Sequence, residues 1–307
     1  MRSWLRRQWR SGYERLLRRE ISGTPTHVAV IQDGNRRYAR KQGEDAPDGH
    51  REGAQTTEQV LQWCQDLDIE ELTLYAFSTE NFERPQEELD PLFDLLARKL
   101  REFADNEKVH ENEVRIRAIG DTSMLPERVR SAVRYADEQT REYDQFVLNI
   151  ALAYGGRNEL LTAARTVAES VDAGELDPTD IDVATIEERL YGQSVRDVDL
   201  IIRTGGDERT SNFLPWHANG NEAAVFFCAP YWPEFSKVDF LRAIRTYENR
   251  EHSWRQTRAR RALALLRAFG TAELEEARTV VDRFRDSLSG EERDEANRVT
   301  EEPQPAD

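Results

Sequence analysis

The sequence predicts an α/β fold, a single domain built on a central, mostly parallel six-stranded sheet flanked by helices. Three observations carry that reading. Short β-rich runs alternate with helical patterns along most of the chain. The 307 residues can bury a substantial core, although length alone also allows two smaller domains. Polar, glycine-containing clusters recur where the β-rich runs end, which is where open α/β sheets place their ligand crevice.

The elements follow in chain order. The first twenty residues, MRSWLRRQWRSGYERLLRRE, set Leu5, Trp9, Tyr13 and Leu16 or Leu17 on one helical face amid seven arginines. Residues 1–24 therefore read as a basic amphipathic helix, suited either to peripheral contact with an anionic membrane through 1–20 or to packing on its own domain or a partner. The domain proper spans 25–275. Strands are expected at 27–31, 72–77, 114–119, 146–151, 198–202 and 223–227, each rich in β-branched, aliphatic or aromatic residues. Between and after them, the 3.6-residue period marks helices near 50–66, 90–108, 126–142, 158–172, 183–190 and 237–267. No internal repeat is present. The acidic end, 286–307, closing on GEERDEANRVTEEPQPAD, reads as a solvated, disordered tail.

Composition narrows the function classes. A net charge of −16, from 59 acidic against 43 basic residues, excludes broad nucleic-acid binding, because phosphate-backbone affinity needs surplus Lys and Arg. An anionic ligand must instead meet a local basic cluster. Lys41, Lys99, Lys108 and Lys237 are the only lysines; arginine with abundant Asp and Glu suits a protein kept soluble in high salt, and a GC-rich genome would produce part of the same bias. Cys64 and Cys228 share no metal-ligand spacing and read as reduced core thiols of a cytoplasmic protein. No run approaches the roughly 18 apolar residues of a membrane span. Trp4 and Leu5 are followed at once by Arg6 and Arg7, which is no secretory signal. The expected location is cytoplasmic, with any membrane contact peripheral at the inner face.

Three strand ends carry the chemistry. Asp33-Gly34-Asn35 closes the first strand and opens a helical stretch, so backbone N–H groups of residues 34–37 can face an anion beside Arg36 and Arg37. A carboxylate next to bound diphosphate calls for a divalent cation between them, which makes Asp33 an Mg²⁺ contact; an Asx-type turn with solvated arginines accounts for the same residues. The second strand runs into Ser78-Thr79-Glu80-Asn81-Phe82-Glu83-Arg84. From Arg203 to Ser211 two arginines, two Thr hydroxyls, a Ser hydroxyl and two glycines fall within nine residues, suited to diphosphate oxygens or to an internal ion-pair loop with Asp207 and Glu208. Glu222 precedes the last strand and reads as a second cation contact or a strand-edge carboxylate. His50 opens a helix, where its imidazole either meets phosphate, shuttles a proton, or caps. The Gly-rich Lys loop, the dinucleotide G-x-G-x-x-G pattern, H-E-x-x-H and paired C-x-x-C are absent.

These residues resemble the cis-prenyltransferase family over about 27–270. The resemblance rests on HVAVIQDGNRRYARKQG, LTLYAFSTENFERP, VRIRAIGD, NIALAYGGRNEL and RTGGDERTSNFLPW, with WPEF at 232–235, in order and spacing. The DGNRRYA form is typical of eukaryotic dehydrodolichyl diphosphate synthases and their archaeal relatives. The resemblance implies the cis-prenyltransferase fold and an Mg²⁺-dependent enzyme that adds isopentenyl diphosphate in Z geometry to an allylic diphosphate. Geranylgeranyl diphosphate is the implied starter, a long polyprenyl diphosphate for glycan assembly the product, and a homodimer the assembly. It also implies that Asp33 positions Mg²⁺, with Glu222 as a metal-associated carboxylate. The allylic diphosphate falls to Gly34, Asn35, Arg36, Arg37, Tyr38, His50, Ser78 and Arg84, catalytic assistance to Asn81 and His50, and isopentenyl diphosphate to Arg203, Arg209 and Ser211. An apolar tunnel is expected from the helix at 85–108 and the strands at 114–119 and 146–151.

The chain departs from the family's pattern in two places. Ala46 stands where the family usually carries a diphosphate-contacting arginine, with Arg51 or Arg40 as substitutes. Arg267-Ala268-Phe269-Gly270 replaces an Arg-x-Gly element, its arginine one residue early. These motivate a second reading, a non-catalytic polyprenyl-binding subunit of a heteromeric transferase. A phosphotransferase using Asp33 as nucleophile lacks a second carboxylate two residues on, where Asn35 sits.

Overall fold

The computed structural model describes residues 14–191, 196–217 and 223–269, with isolated positions between 288 and 294. The chain divides into two compact units, 1–247 and 248–307. The first holds the sheet: β1 (His27–Ile31), β2 (Glu71–Ser78), β3 (Val114–Ile119), β4 (Phe146–Tyr154), β5 (Leu200–Arg203) and β6 (Ala224–Phe227). Residues 14–20 form α1. The later helices are α2 (Asn35–Gln42), α3 (Ala46–Gln65), α4 (Gln86–Ala104), α5 (Glu107–Glu111), α6 (Glu127–Thr140), α7 (Gly156–Asp172), α8 (Val183–Tyr191) and α9 (Lys237–Phe269), the last running on into the second unit.

The strand order is β3-β4-β2-β1-β5-β6, and every neighbouring pair is parallel. β2, β3 and β4 lie on one side of β1, with β4 returning between β2 and the edge strand β3, and β5 and β6 lie on the other. The carboxyl end of β1 is thus the switch point, with the ends of β2 and β5 beside it. Both faces of β1 are buried: Val28 and Val30 face a cluster with Val60, Leu61 and Cys64 of α3, Phe93 and Leu100 of α4, and Phe240 and Ile244 of α9. Ala29 and Ile31 face Tyr154, Ile201, Phe213 and Leu214 on the other side. A strand covered on both faces is a continuous apolar run, which is why HVAVI is unambiguous in the sequence.

Where boundaries differ from expectation, prolines and caps explain it. α3 begins at Ala46 rather than 50, because Pro47 sits in its first turn, where a missing N–H costs nothing. α4 begins at Gln86 and carries Pro91 inside it. The pattern expected to continue to 108 breaks at Ala104, and α5 restarts on Asn106, whose side chain accepts from the Lys108 N–H at 2.9 Å. Among the described residues no helix is long and apolar enough to cross a membrane.

Of the segment expected as a basic amphipathic helix, residues 1–13 lie outside the described residues. In α1, Leu17 is fully buried against Val238 and Leu241 of α9, and Glu20 pairs with Arg245 at 2.9 Å. This part packs on its own domain. Both cysteines are free thiols, and burial pushes Cys228 up to about 12 and Cys64 further still. Gly270 and most of the acidic tail lie outside the described residues. Arg267 lies on α9, its side chain likewise outside them. Within the tail, expected to be disordered, Gly290 and residues 292–294 are helical, Leu288 is buried, and Arg293 Nε donates to the Leu288 carbonyl at 3.0 Å.

A buried polar network crosses the amino ends of the central strands. His27 Nδ1–H donates to the Arg196 carbonyl (3.0 Å), so its Nε2 accepts from the Thr73 hydroxyl (2.7 Å). Asn149 in turn donates to Thr73 (3.0 Å) and to Glu71 (2.6 Å). This arrangement requires a neutral imidazole, and burial lowers the His27 pKa to about 4. Because that value lies below the ordinary 6.5, the unfolded chain binds the extra proton. The contribution is full above pH 6.5 and is lost as pH falls toward 4. In urea unfolding, His27 should contribute on the order of 2 kcal/mol to the fall in stability between pH 7.5 and 5, a share that His27→Gln removes.

Candidate active site

Three loops at the carboxyl ends of β1, β2 and β5 meet at the mouth of one cavity of about 300 Å³. Asp33, Asn35, His50, Ser78, Asn81, Arg84, Arg203, Arg209 and Ser211 line its polar end. Leu74, Leu148 and Ile150 from the sheet and Leu92, Leu95, Leu96, Leu100 and Phe103 from α4 line the rest. β4, but not β3, contributes to the apolar wall. β3 is the edge strand, packed under α6, while α3 and α4 roof the cavity over β2 and β4.

The β1 loop is fixed by its neighbours. Thr204, fully buried after β5, accepts from the Asp33 N–H at 3.0 Å and donates to the Asp33 carbonyl at 2.7 Å. The Trp232 N–H donates to the same carbonyl at 3.0 Å. Gly34 follows with φ +102°, and a Cβ there would meet the Tyr231 ring at 2.6 Å, so glycine alone fits. It precedes α2 with no side-chain cap, leaving the first N–H groups of that helix available to an anion.

Arg203 is the hub. Only 3% exposed, its guanidinium donates to Asp33 (2.8 Å), Asp207 (3.3 Å), the Arg209 carbonyl (2.6 Å) and Ser211 Oγ (2.5 Å). That last contact holds the loop through Ser211 and Asn212, both at positive φ, which costs free energy in non-glycine residues. Arg37 binds the other Asp33 oxygen at 3.0 Å and lies 3.8 Å from Asp207. A Cβ on Gly205 would come within 2.6 Å of the Arg37 guanidinium. Burial opposes ionisation of Asp33, but the Arg203 hydrogen bond and the Arg37 charge outweigh it and hold the carboxyl below its ordinary value.

On the β2 side, Ser78 and Asn81 form a reciprocal cap: the Asn81 side chain accepts from the Ser78 N–H at 3.2 Å while the Ser78 side chain accepts from the Asn81 N–H. This turn delivers Arg84 to the cavity. Its guanidinium makes no ion pair or side-chain hydrogen bond among the described residues, and burial with the nearby Arg36 charge lowers its pKa. Burial, then Arg84 and Arg36, lower His50 to about 4, so it is a neutral imidazole at pH 7. Arg84 thus stands beside a neutral histidine with no ion pair of its own among the described residues, an arrangement that an anion would complete.

Not every expected residue reaches the cavity wall. Gly34 and Arg37 do not line it, Arg37 being paired with Asp33; Arg36 pairs with Glu88 of α4 at 3.2 Å, and Tyr38 is half-buried on α2 away from the lining. Glu222 lies outside the described residues. Ala46 begins α3, and neither substitute lines the cavity: Arg40 is exposed and Arg51 pairs with Asp48. Trp232, Tyr231, Thr204 and Lys99 belong to the site or its support without having been assigned from sequence. WPEF signals an aromatic turn, but its indole reads as ordinary core.

The undecaprenyl diphosphate synthase family model matches residues 31–255. A tritrans,polycis-undecaprenyl-diphosphate synthase (geranylgeranyl-diphosphate specific) of Halobacterium salinarum is 71% identical over 276 residues, 90% of this chain and 91% of the relative. The protein of the same description from Haloarcula marismortui is 66% identical, covering 93% and 94%. Among solved structures, lavandulyl diphosphate synthase from Lavandula x intermedia, in complex with dimethylallyl diphosphate, superposes with a TM-score of 0.69 at 35% identity, covering 73% of this chain and 95% of that one.

A lysine at position 203 could not reproduce four directed donations, having a point charge on a flexible stem. Arg203→Lys should lower the unfolding free energy by about 2 kcal/mol in denaturant titration and weaken inorganic diphosphate binding roughly tenfold in calorimetry.

Proposed function

The chain belongs to the undecaprenyl diphosphate synthase family, and from that premise we propose that it condenses isopentenyl diphosphate in cis onto geranylgeranyl diphosphate to build a long polyprenyl diphosphate, with Mg²⁺ held at Asp33. The observation that carries this reading is the shape and chemistry of one cavity. Its mouth gathers Asp33, His50, Arg84, Arg203 and Arg209, and its interior is walled by α4 leucines and Phe103. A substrate with a diphosphate head and a hydrocarbon tail matches both ends at once.

The donor set fits Mg²⁺. No cluster of three or more His, Cys, Asp or Glu side chains among the described residues would hold a metal alone. Mg²⁺ commonly takes one or two carboxylates and completes its shell with substrate phosphates and water. Asp33 supplies an ionised carboxylate at the mouth. When bound, the ion would neutralise charge on the departing diphosphate.

The residues divide the remaining work. The allylic carbon–oxygen bond breaks with its electron pair leaving on the diphosphate, and Arg37, Arg84 and the amides opening α2 stabilise that charge. Arg203, Arg209 and Ser211 hold isopentenyl diphosphate, whose double bond attacks the allylic carbon. Loss of a proton from the adjacent carbon leaves the new Z double bond. His50, neutral at pH 7, is able to take up a proton, and Asn81 lines the same mouth. Excluding water from the apolar interior protects the allylic cation while the product tail lengthens toward Phe103. A non-catalytic polyprenyl-binding subunit would have no use for a full set of diphosphate and metal residues. A second copy of the chain is the partner this reading expects.

The test is extension of geranylgeranyl diphosphate with labelled isopentenyl diphosphate, in low and high salt. Wild-type protein should make a long Z-polyprenyl diphosphate, chelation of Mg²⁺ should abolish the product, and Asp33→Ala should lower kcat by about 100-fold or more. Absence of elongation under every condition would refute the proposal.

A further inference from the structure

Tyr231 lies outside the clusters that point to diphosphate chemistry in the sequence, yet its ring closes one side of the β1 loop. It packs directly on Gly34, where a Cβ would come within 2.6 Å of its Cδ1. Two cations of α2, one turn apart, sit over it: Arg37 with Cζ 5.4 Å from the ring centroid and Lys41 with Nζ at 5.8 Å. Both distances fall within the range of attraction to a ring face. Lys41 is itself tethered, donating to Glu234 at 2.7 Å.

The turn bearing Tyr231 is anchored at the next residue. Trp232 is buried, donates its indole N–H to the Gly53 carbonyl of α3 at 2.7 Å, stacks on Phe235, and donates its backbone N–H to Asp33. The ring therefore has a fixed place. Arg37 is held on one side by its 3.0 Å ion pair with Asp33, but its side chain is 38% exposed, and a long exposed arginine loses rotamer freedom whenever it grips a ligand.

We propose that Tyr231 is a positioning residue, its ring face holding the Arg37 guanidinium in place for the allylic diphosphate. The inference rests on the reading that Arg37 holds that diphosphate. Tyr231 touches no substrate and acts through Arg37, which it orders in advance so that less freedom is lost on binding.

The test varies the allylic diphosphate at saturating isopentenyl diphosphate, using the full chain and four forms of position 231: Tyr, Phe, Leu and trifluorophenylalanine. Tyr231→Phe keeps the electron-rich ring and should keep the allylic KM within about twofold. Tyr231→Leu and the electron-poor fluorinated ring should raise it about five- to tenfold, leaving kcat and the isopentenyl KM within about twofold. In an Arg37→Ala background Tyr231→Leu should add nothing. Wild-type KM in the leucine variant, a fluorinated ring equal to phenylalanine, or an undiminished effect without Arg37 would each overturn the inference while leaving turnover intact. Should the leucine variant fail to fold, the comparison of the two volume-matched rings decides. Wild-type protein that elongates nothing overturns the underlying reading and this inference with it.

Discussion

The site depends on one ion pair between two strand ends. Asp33 and Arg203 stand 170 positions apart in sequence and 2.8 Å apart in space, joining the carboxyl ends of β1 and β5 at the switch point of the sheet. A buried guanidinium is costly unless its donors are satisfied. Here the partners of the two terminal nitrogens of Arg203 build the site, while its buried Nε has none among the described residues: the acceptors are the Asp33 carboxylate, Asp207, and the two ends of the loop at 209–211. The same geometry keeps Asp33 ionised and places it where a cation and a diphosphate can share it.

Around that pair the cavity presents two solvents to one ligand. The mouth is rich in cations and amides, a setting suited to stabilise charge on a leaving diphosphate without reorganisation. Further in, α3, α4, β2 and β4 supply mainly aliphatic and aromatic walls; the polar side chains there include Thr57, which accepts from Gln32 at 2.7 Å, and Lys99, which pairs with Glu58 at 3.1 Å and Glu102 at 2.7 Å. The chain solves the problem of holding an amphiphile by placing its crevice where the sheet ends and letting two helices stand apart over the sheet.

Much of this was legible in sequence. β1 and β3 fall on their expected residues, because runs such as HVAVI and VRIRAI admit no other regular structure between turn signals. Asp33, Arg84 and Arg203 stand at strand ends, and a strand end in a parallel sheet announces its location. Other parts were hidden for physical reasons. Leu92, Leu96 and Leu100 line a cavity from positions that would serve equally as core, since helical periodicity records burial and not what lies opposite. Thr204 and Trp232 fall within sequence blocks, but their supporting roles, like that of Tyr231, come from contacts between segments distant in sequence. The bare clusters pointed to an anion site; the isoprenoid substrate came from the resemblance in ordered motifs, which the relatives at 71% and 66% identity then supported.

The most direct measurement is a crystal structure with Mg²⁺ and a non-reactive thiolo analogue of geranylgeranyl diphosphate. The diphosphate should lie between the amino end of α2, Arg37 and Arg84, with the metal bridging it to Asp33 and the hydrocarbon running along α4 toward Phe103. Density for the diphosphate away from the ends of β1 and β2, or a tail lying outside the cavity beneath α3 and α4, would contradict the account.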